Sequence, residues 1–220
     1  MEQTVLTKRQ HLFLKLLGEQ SAIADAFYWT GGTVLAEIYL HHRYSEDLDF
    51  FSERDVDVEG ITSMLTTLKA QTGFRKLDIE QSFNRNLFFL DFGDETLKME
   101  FTYFPFPRIE AEHQYGELSI DSLIDIAVNK LFTIYQKPRA RDFIDLYSIL
   151  KKEPWQMADL IAKAKIKFDW HVDPLQLGSQ FLRAREVKDY PRMITVVSDE
   201  AWMVFFEEAA RSLEHAILDG

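Results

Sequence analysis

The sequence predicts an α+β protein: a mixed β-sheet flanked by helices, followed by a helical C-terminal half. Three observations carry that expectation. Short strand-like apolar runs, broken by helical segments, occupy the chain up to Pro107. Beyond Asp121 the apolar residues recur at helical spacing to the end. Strands grouped before helices argue for α+β rather than an alternating parallel fold. No internal repeat, low-complexity segment or long Gly/Ser linker interrupts the pattern.

Taken in order, residues 7–19 place Leu12, Phe13, Leu16 and Leu17 on a helix. Residues 26–30 read as a short strand ending at a glycine pair. A helix over 33–41 follows, with Val34, Leu35, Ile38 and Tyr39 as its apolar face, and then a strand over 48–52. Ile61, Leu65 and Leu68 point inward from a helix over 61–70, which Gly73 stops. Strands are expected at 74–82, 86–92 and 96–104, with Gly93-Asp94-Glu95 turning a hairpin between the last two. Pro105 and Pro107 end that region. Asp121 is the N-cap of a helical series at 122–136, 140–151, 155–165, 175–188 and 200–218. The boundary falls near residues 107–120, giving a core domain at 1–115 and a helical domain at 116–220.

Composition narrows the function classes. A chain of 220 residues, 46% hydrophobic and 28% charged, has the make-up of a globular protein with a sizeable core. No apolar run approaches the roughly 18 residues needed to span a membrane. Met1-Glu2-Gln3-Thr4 starts no basic segment followed by an apolar one, so no signal peptide is expected. The absence of cysteine excludes disulfides and thiolate metal sites and suits a cytoplasmic location. A net charge of −11 argues against a general nucleic-acid coating protein. The charge is uneven: Lys130, Lys137, Arg139, Arg141, Lys151 and Lys152 face only Asp142 and Asp145 across 130–152, whereas 199–220 holds six acids against Arg211. The six histidines lack metal-ligand spacing, and neither a Gly-x-Ser-x-Gly elbow nor a Walker-type loop is present.

The chemistry-bearing residues begin with Asp47 and Asp49. Two residues apart at a strand start, they share one face and repel unless a cation lies between them. Mg²⁺ takes such hard oxygens, commonly one or two carboxylates plus substrate phosphates. The alternative is a solvated pair at a strand end. Gly31 and Gly32 let a backbone approach a phosphate, with Thr33 adding a hydroxyl; an ordinary cap by Thr30 or Thr33 is the alternative. Arg43 suits a phosphate, or closes a helix C-terminus. On the strand over 97–104, Lys98, Glu100 and Thr102 share the face opposite Met99, Phe101 and Tyr103. Glu100 is the favoured third acid, as metal ligand or base, and Asp91 its rival; for either, a salt bridge with Lys98 or Arg85 is the competing explanation. Lys130, in an otherwise apolar stretch, suits a triphosphate. Asp142 and Asp145 share one helix face, equally able to join a structural ion-pair network with Arg141.

In order, Gly31-Gly32-Thr33-Val34-Leu35-Ala36, His42-Arg43-Tyr44-Ser45-Glu46-Asp47-Leu48-Asp49-Phe50-Phe51, Leu97-Lys98-Met99-Glu100-Phe101, Asn129-Lys130-Leu131 and Arg139-Ala140-Arg141-Asp142-Phe143-Ile144-Asp145-Leu146 resemble the AbiEii/AbiGii-type nucleotidyltransferase toxins, of the DNA polymerase β-type superfamily. The resemblance spans roughly residues 25–150. It implies a nucleotidyltransferase core sheet, Mg²⁺ as cofactor and an NTP as donor. It makes Asp47 and Asp49 the metal pair, with Glu100 in place of the third acid, which is usually Asp. It makes Gly31, Gly32 and Thr33, with Arg43, Ser45 and Lys130, the nucleotide-binding set, and Asp142 a further residue needed for activity. It also implies transfer of an NMP to a hydroxyl of RNA, plausibly a tRNA end, or of a protein, with release of pyrophosphate, and a cognate antitoxin as partner. A non-catalytic nucleotide-binding module on the same fold is the alternative.

Overall fold

The computed structural model describes residues 4–111 and 113–218, with side chains described to residue 214. Met1, Glu2 and Gln3, read above for a signal peptide, lie outside the described residues, as does Asp219 of the acidic tail. The elements are α1 (Lys8–Gly18), α2 (Ser21–Ala24), β1 (Tyr28–Thr30), α3 (Gly31–Val34), a π-helical stretch (Leu35–Leu40), β2 (Leu48–Ser52), α4 (Val58–Thr72), β3 (Lys76–Ser82), β4 (Arg85–Asp91), β5 (Thr96–Tyr103), β6 (His113–Tyr115) and β7 (Leu118–Ile120). They continue with α5 (Leu123–Gln136), α6 (Ala140–Lys152), α7 (Met157–Phe168), α8 (Pro174–Leu182), a 3-10 turn (Arg183–Arg185) and α9 (Asp199–Leu218). Two compact units result. One comprises Met1–Ile38, Ser45–Pro107 and Ala111–Ser122; the other Tyr39–Tyr44, Arg108–Glu110 and Leu123–Gly220.

The first unit is built on a mixed seven-stranded sheet in the order β3-β4-β5-β2-β1-β7-β6. β2 runs parallel to β5 and β1 parallel to β7; the other pairs are antiparallel. Period-two alternation sends Phe50, Phe88 and Phe101 to one face, where all three are fully buried. Phe50 stacks on Phe101 at 5.0 Å, and Phe88 meets the same ring edge-on at 5.5 Å. Each such ring contributes about 1.5–3 kcal/mol relative to exposure. That burial fixes the opposite destination for their neighbours Asp49, Glu100 and Leu87. Local signals set the helices. Thr7 and Gln10 form a reciprocal capping box at α1, Asp57 accepts the Gly60 N–H at 2.9 Å to start α4, and Gly73 ends it at φ 80°.

The second unit is helical. Phe143 packs edge-on against Phe206 at 4.7 Å and stacks with Trp202 at 5.9 Å, and all three are fully buried. The segment around Arg43 is tied to this unit by backbone bonds: Tyr44 N–H donates to Arg192 O at 2.8 Å and Ile194 N–H to His42 O at 2.9 Å.

Two features depart from the sequence reading. The expected helix over 33–41 is a single α-turn followed by π-winding, and its expected inward residues Ile38 and Tyr39 are half-exposed. A π-turn closes i to i+5 bonds, so a face laid out at 3.6-residue spacing drifts out of phase. β6 and β7, three residues each around Gly116, are strands that the sequence reading did not assign; so short a run has no readable period. Pairing with β1 makes β7 a strand. Among the described residues no helix is long and apolar enough to cross a membrane.

Candidate active site

The register of the first unit brings the acids together. Asp49 pairs with Glu100 on β5 and with Thr30 on β1, while Leu87 of β4 lies opposite Glu100. Registered partners share a face, so Thr30, Asp49, Glu100 and Leu87 form one row, with neighbouring strands about 4.8 Å apart. Asp47 lies two residues before Asp49, on the same face, where Lys98 Nζ donates to its Oδ2 at 2.7 Å. Asp91, the alternative third acid, sits at the far end of β4 opposite Thr96 and accepts the Gly93 N–H at 2.6 Å in the hairpin turn. The position beside Asp49 belongs to Glu100.

Glu100 is held by two strong bonds. Arg85 Nε donates to its Oε1 at 2.6 Å and Arg85 Nη2 to its Oε2 at 2.5 Å, while Thr102 Oγ1 donates to Oε1 at 2.8 Å. Burial pushes the Glu100 carboxyl up. The Arg85 bonds and charge, with Thr102 and Lys98, outweigh that and hold it below its ordinary value. The same pairing raises the Arg85 guanidinium.

The glycine turn closes onto the acids. Gly31 has φ 80°, and a side chain there would collide with the Asp49 carboxylate. Thr33 Oγ1 donates to the Asp47 carbonyl, tying the turn to the start of β2. Thr30 occupies the N-cap position of α3, yet its hydroxyl donates to Asp121 Oδ2 at 2.5 Å rather than accepting from the helix. Ser45 is anchored through its backbone carbonyl, which accepts from Gln10 Nε2 at 3.1 Å.

A divalent cation, which the resemblance implies, can be judged against these donors. Asp47 and Asp49 supply hard carboxylate oxygens on one face, a set suited to Mg²⁺ completed by substrate phosphates. Among the described residues no group of three or more His, Cys, Asp and Glu side chains converges as a metal cage. Both Glu100 oxygens are engaged by Arg85.

Asp142, Lys130 and Arg43 belong to a second cluster, in the helical unit. Asp145 Oδ1 accepts from Arg43 Nε at 2.6 Å and His42 Nε2 at 2.8 Å, and its Oδ2 from Arg43 Nη2 at 2.8 Å. Lys130 Nζ lies 2.7 Å from Oδ2 of Asp145 and 2.7 Å from Oδ1 of Asp142. Arg139 Nε completes Asp142 at 2.7 Å. The expected Arg141–Asp145 pairing gives way to Arg43 and Lys130 as partners of Asp145. Burial pushes both carboxyls up, but Lys130 with Arg43 for Asp145, and Lys130 with Arg139 for Asp142, hold them down, Asp145 well below its ordinary value.

Residues that the sequence reading undervalued are Arg85 and Lys98, named there only as salt-bridge partners, and Asp121, named as a cap. Their signal was the alternation Lys98, Glu100, Thr102, which needed the register to become a row.

The sheet order, with paired acids at the start of β2 and a third on the adjoining parallel strand, defines a nucleotidyltransferase fold. Residues 15–212 match the profile described as nucleotidyl transferase AbiEii toxin, type IV toxin–antitoxin system, and the chain belongs to that family. It is 31% identical over 152 residues to the uncharacterized protein aq_aa25 of Aquifex aeolicus (strain VF5), covering 66% of this chain and 68% of that one. Its fold is similar to the crystal structure of JHP933 from Helicobacter pylori, with TM-score 0.60 and 21% identity over 97% of this chain and 95% of that chain. It is also similar to MenT4, a nucleotidyltransferase toxin from Mycobacterium tuberculosis H37Rv, with TM-score 0.58 and 17% identity over 94% and 82% of the two chains.

Proposed function

We propose that the protein transfers a nucleoside monophosphate from an NTP to a hydroxyl of RNA, a tRNA end included, or of a protein. The acceptor oxygen bonds to the α-phosphorus as the bond to the bridging oxygen breaks. Pyrophosphate leaves, and the hydroxyl proton passes to solvent. Family membership supports nucleotidyl transfer. The observation that carries the site is the Asp47–Asp49 face closed by the Gly31 turn.

Asp47 and Asp49 would hold Mg²⁺. When bound, the ion supplies charge neutralisation of the triphosphate and Lewis-acid stabilisation at the reacting phosphorus. Gly31 brings the backbone against Asp49 where no side chain fits, and Thr33 fixes the turn to the carbonyl of Asp47. Membership of a toxin family supports a cognate antitoxin as partner, and an NTP-dependent reaction suits the cytoplasm.

A second reading rests on the Arg85–Glu100 pair: with the third acid engaged, the site holds a nucleotide without turnover. One experiment separates the two. The protein is incubated with each α-labelled NTP, Mg²⁺ and either total RNA or a protein lysate. Label transfer is expected, falling about 1,000-fold, or ~4 kcal/mol, in Asp49→Asn. Transfer undiminished by Asp49→Asn overturns the site. Nucleotide binding without pyrophosphate release establishes the second reading.

A further inference from the structure

We infer that Arg85 is the phosphate-binding cation of the sheet-borne site, and that Glu100 acts by holding it in place rather than by binding metal or taking a proton. The inference deepens the nucleotidyl-transfer reading and rests on it for the identity of the ligand, a phosphate of the bound nucleotide.

The argument starts from the asymmetry of the pair. The Glu100 side chain is 7% exposed, whereas that of Arg85 is 57% exposed. The carboxylate is therefore the buried anchor and the guanidinium the presented group. Both carboxylate oxygens are spent on Arg85, one of them also on Thr102. A carboxylate so engaged is a poor metal ligand, because coordination would strip away two charge-assisted bonds. It is also a poor base at neutral pH, since those bonds favour the anion without a proton.

Arg85 uses Nε and Nη2 for this fork, and Nη1 has no hydrogen-bond acceptor among the described residues. A guanidinium carries five N–H donors in a rigid plane, so the edge facing away from Glu100 remains able to take phosphate oxygens. Its position suits that task. Arg85 lies opposite Thr102, one step along the face from Glu100, and Glu100 is the registered neighbour of Asp49. A metal held by Asp47 and Asp49 would bring a triphosphate to this face, and a cation beside the acids offsets its remaining charge.

The test measures binding of the α,β-methylene analogues of ATP, CTP, GTP and UTP in Mg²⁺ by calorimetry, alongside thermal melts and Mg²⁺ titrations at saturating analogue. Arg85→Ala is expected to weaken binding of the preferred analogue at least tenfold, with Arg85→Lys intermediate, because lysine keeps the charge and loses the fork. Glu100→Gln should weaken it less. The double variant Arg85→Ala/Glu100→Gln should bind no worse than Arg85→Ala alone, since an anchor without its load has nothing left to lose. Neither substitution should move the Mg²⁺ midpoint. Arg85→Lys should remain folded with a modest drop in melting temperature, since lysine keeps a charge beside Glu100, and its weaker analogue binding while fully folded separates a contact with nucleotide from a purely structural role.

Binding by Arg85→Ala within twofold of wild type overturns the inference. So does a Mg²⁺ midpoint raised by Glu100→Gln and not by Arg85→Ala, which would make Glu100 a metal ligand. Multiplicative losses in the double variant also count against it. These outcomes are distinct from failure of the transfer reading, in which wild type binds the analogue and transfers no label. Absence of analogue binding by wild type overturns both.

Discussion

The two charged clusters of this protein use the same residue types, Asp or Glu with Arg and Lys, in opposite ways. In the sheet-borne row the cations are open to solvent, with Arg85 57% and Lys98 27% exposed. In the helical unit Arg43 is 4% and Lys130 11% exposed, and Asp145 is fully buried. Charge buried on both sides of a pair serves the fold, because losing one partner strands the other in a poor solvent. Charge with one member presented to water remains available to a ligand. Exposure, rather than residue identity, separates the enclosed partners of Asp145 from the Arg85 and Arg139 guanidiniums, which are 57% and 38% exposed.

The largest effect is expected at Asp145, where four charge-assisted contacts converge. Asp145→Ala leaves Arg43 and Lys130 short of a counter-charge and should cost about 3–5 kcal/mol in denaturant unfolding. A loss below about 1 kcal/mol would mean that this cluster is not structural, and the contrast between the units would collapse. Lys130→Met comes next, expected to cost about 3 kcal/mol by leaving Asp142 and Asp145 facing each other. It also sharpens the comparison. A variant that keeps its melting temperature and raises the nucleotide KM would assign Lys130 the nucleotide-binding role that the resemblance implies.

Gly31→Ala should cost about 1–3 kcal/mol, since the residue is left-handed and its Cβ would displace Asp49. Label transfer should fall further than stability does, because the displaced group is a proposed metal ligand. A variant with full activity would remove the turn from the site.

The smallest effect is on acid stability. Asp142 and Asp145 titrate below their ordinary 3.8 when folded, so their contribution is complete above that value. It is lost as the pH falls through the depressed folded values. Unfolding free energy should therefore be flat above about pH 4 and drop below it, with a shallower drop in Asp145→Asn. An equally steep drop in that variant would place the acid-sensitive groups elsewhere.

Much of this was legible in the chain. β2 has the bounds expected from Leu48-Asp49-Phe50-Phe51-Ser52, and α1, α4 and the helices after Asp121 stand close to their expected places, because periodicity and caps are local properties. The alternation along Lys98, Met99, Glu100, Phe101 correctly put Glu100 on the polar face. What could not be read was the company it keeps. Arg85 is 15 residues from Glu100 and Arg43 is 102 from Asp145. Such separations carry no periodic signal. The three-residue strands β6 and β7 escaped for the same reason: a partner strand, not their own composition, gives them their conformation.

The sequence by itself determined most of the strands and helices, the face shared by Asp47 and Asp49, the polar face that holds Glu100, and a glycine turn ahead of them. Each of these follows from side-chain period, capping chemistry or backbone sterics within a few residues. Only the tertiary structure decided that Glu100 stands beside Asp49 with Arg85 on its oxygens, and that Lys130 and Arg43 are enclosed by Asp142 and Asp145. Strand register and helix packing are collective results of burying Phe50, Phe88, Phe101, Phe143 and Trp202. The ionic partnerships are settled by where that burial leaves each charge.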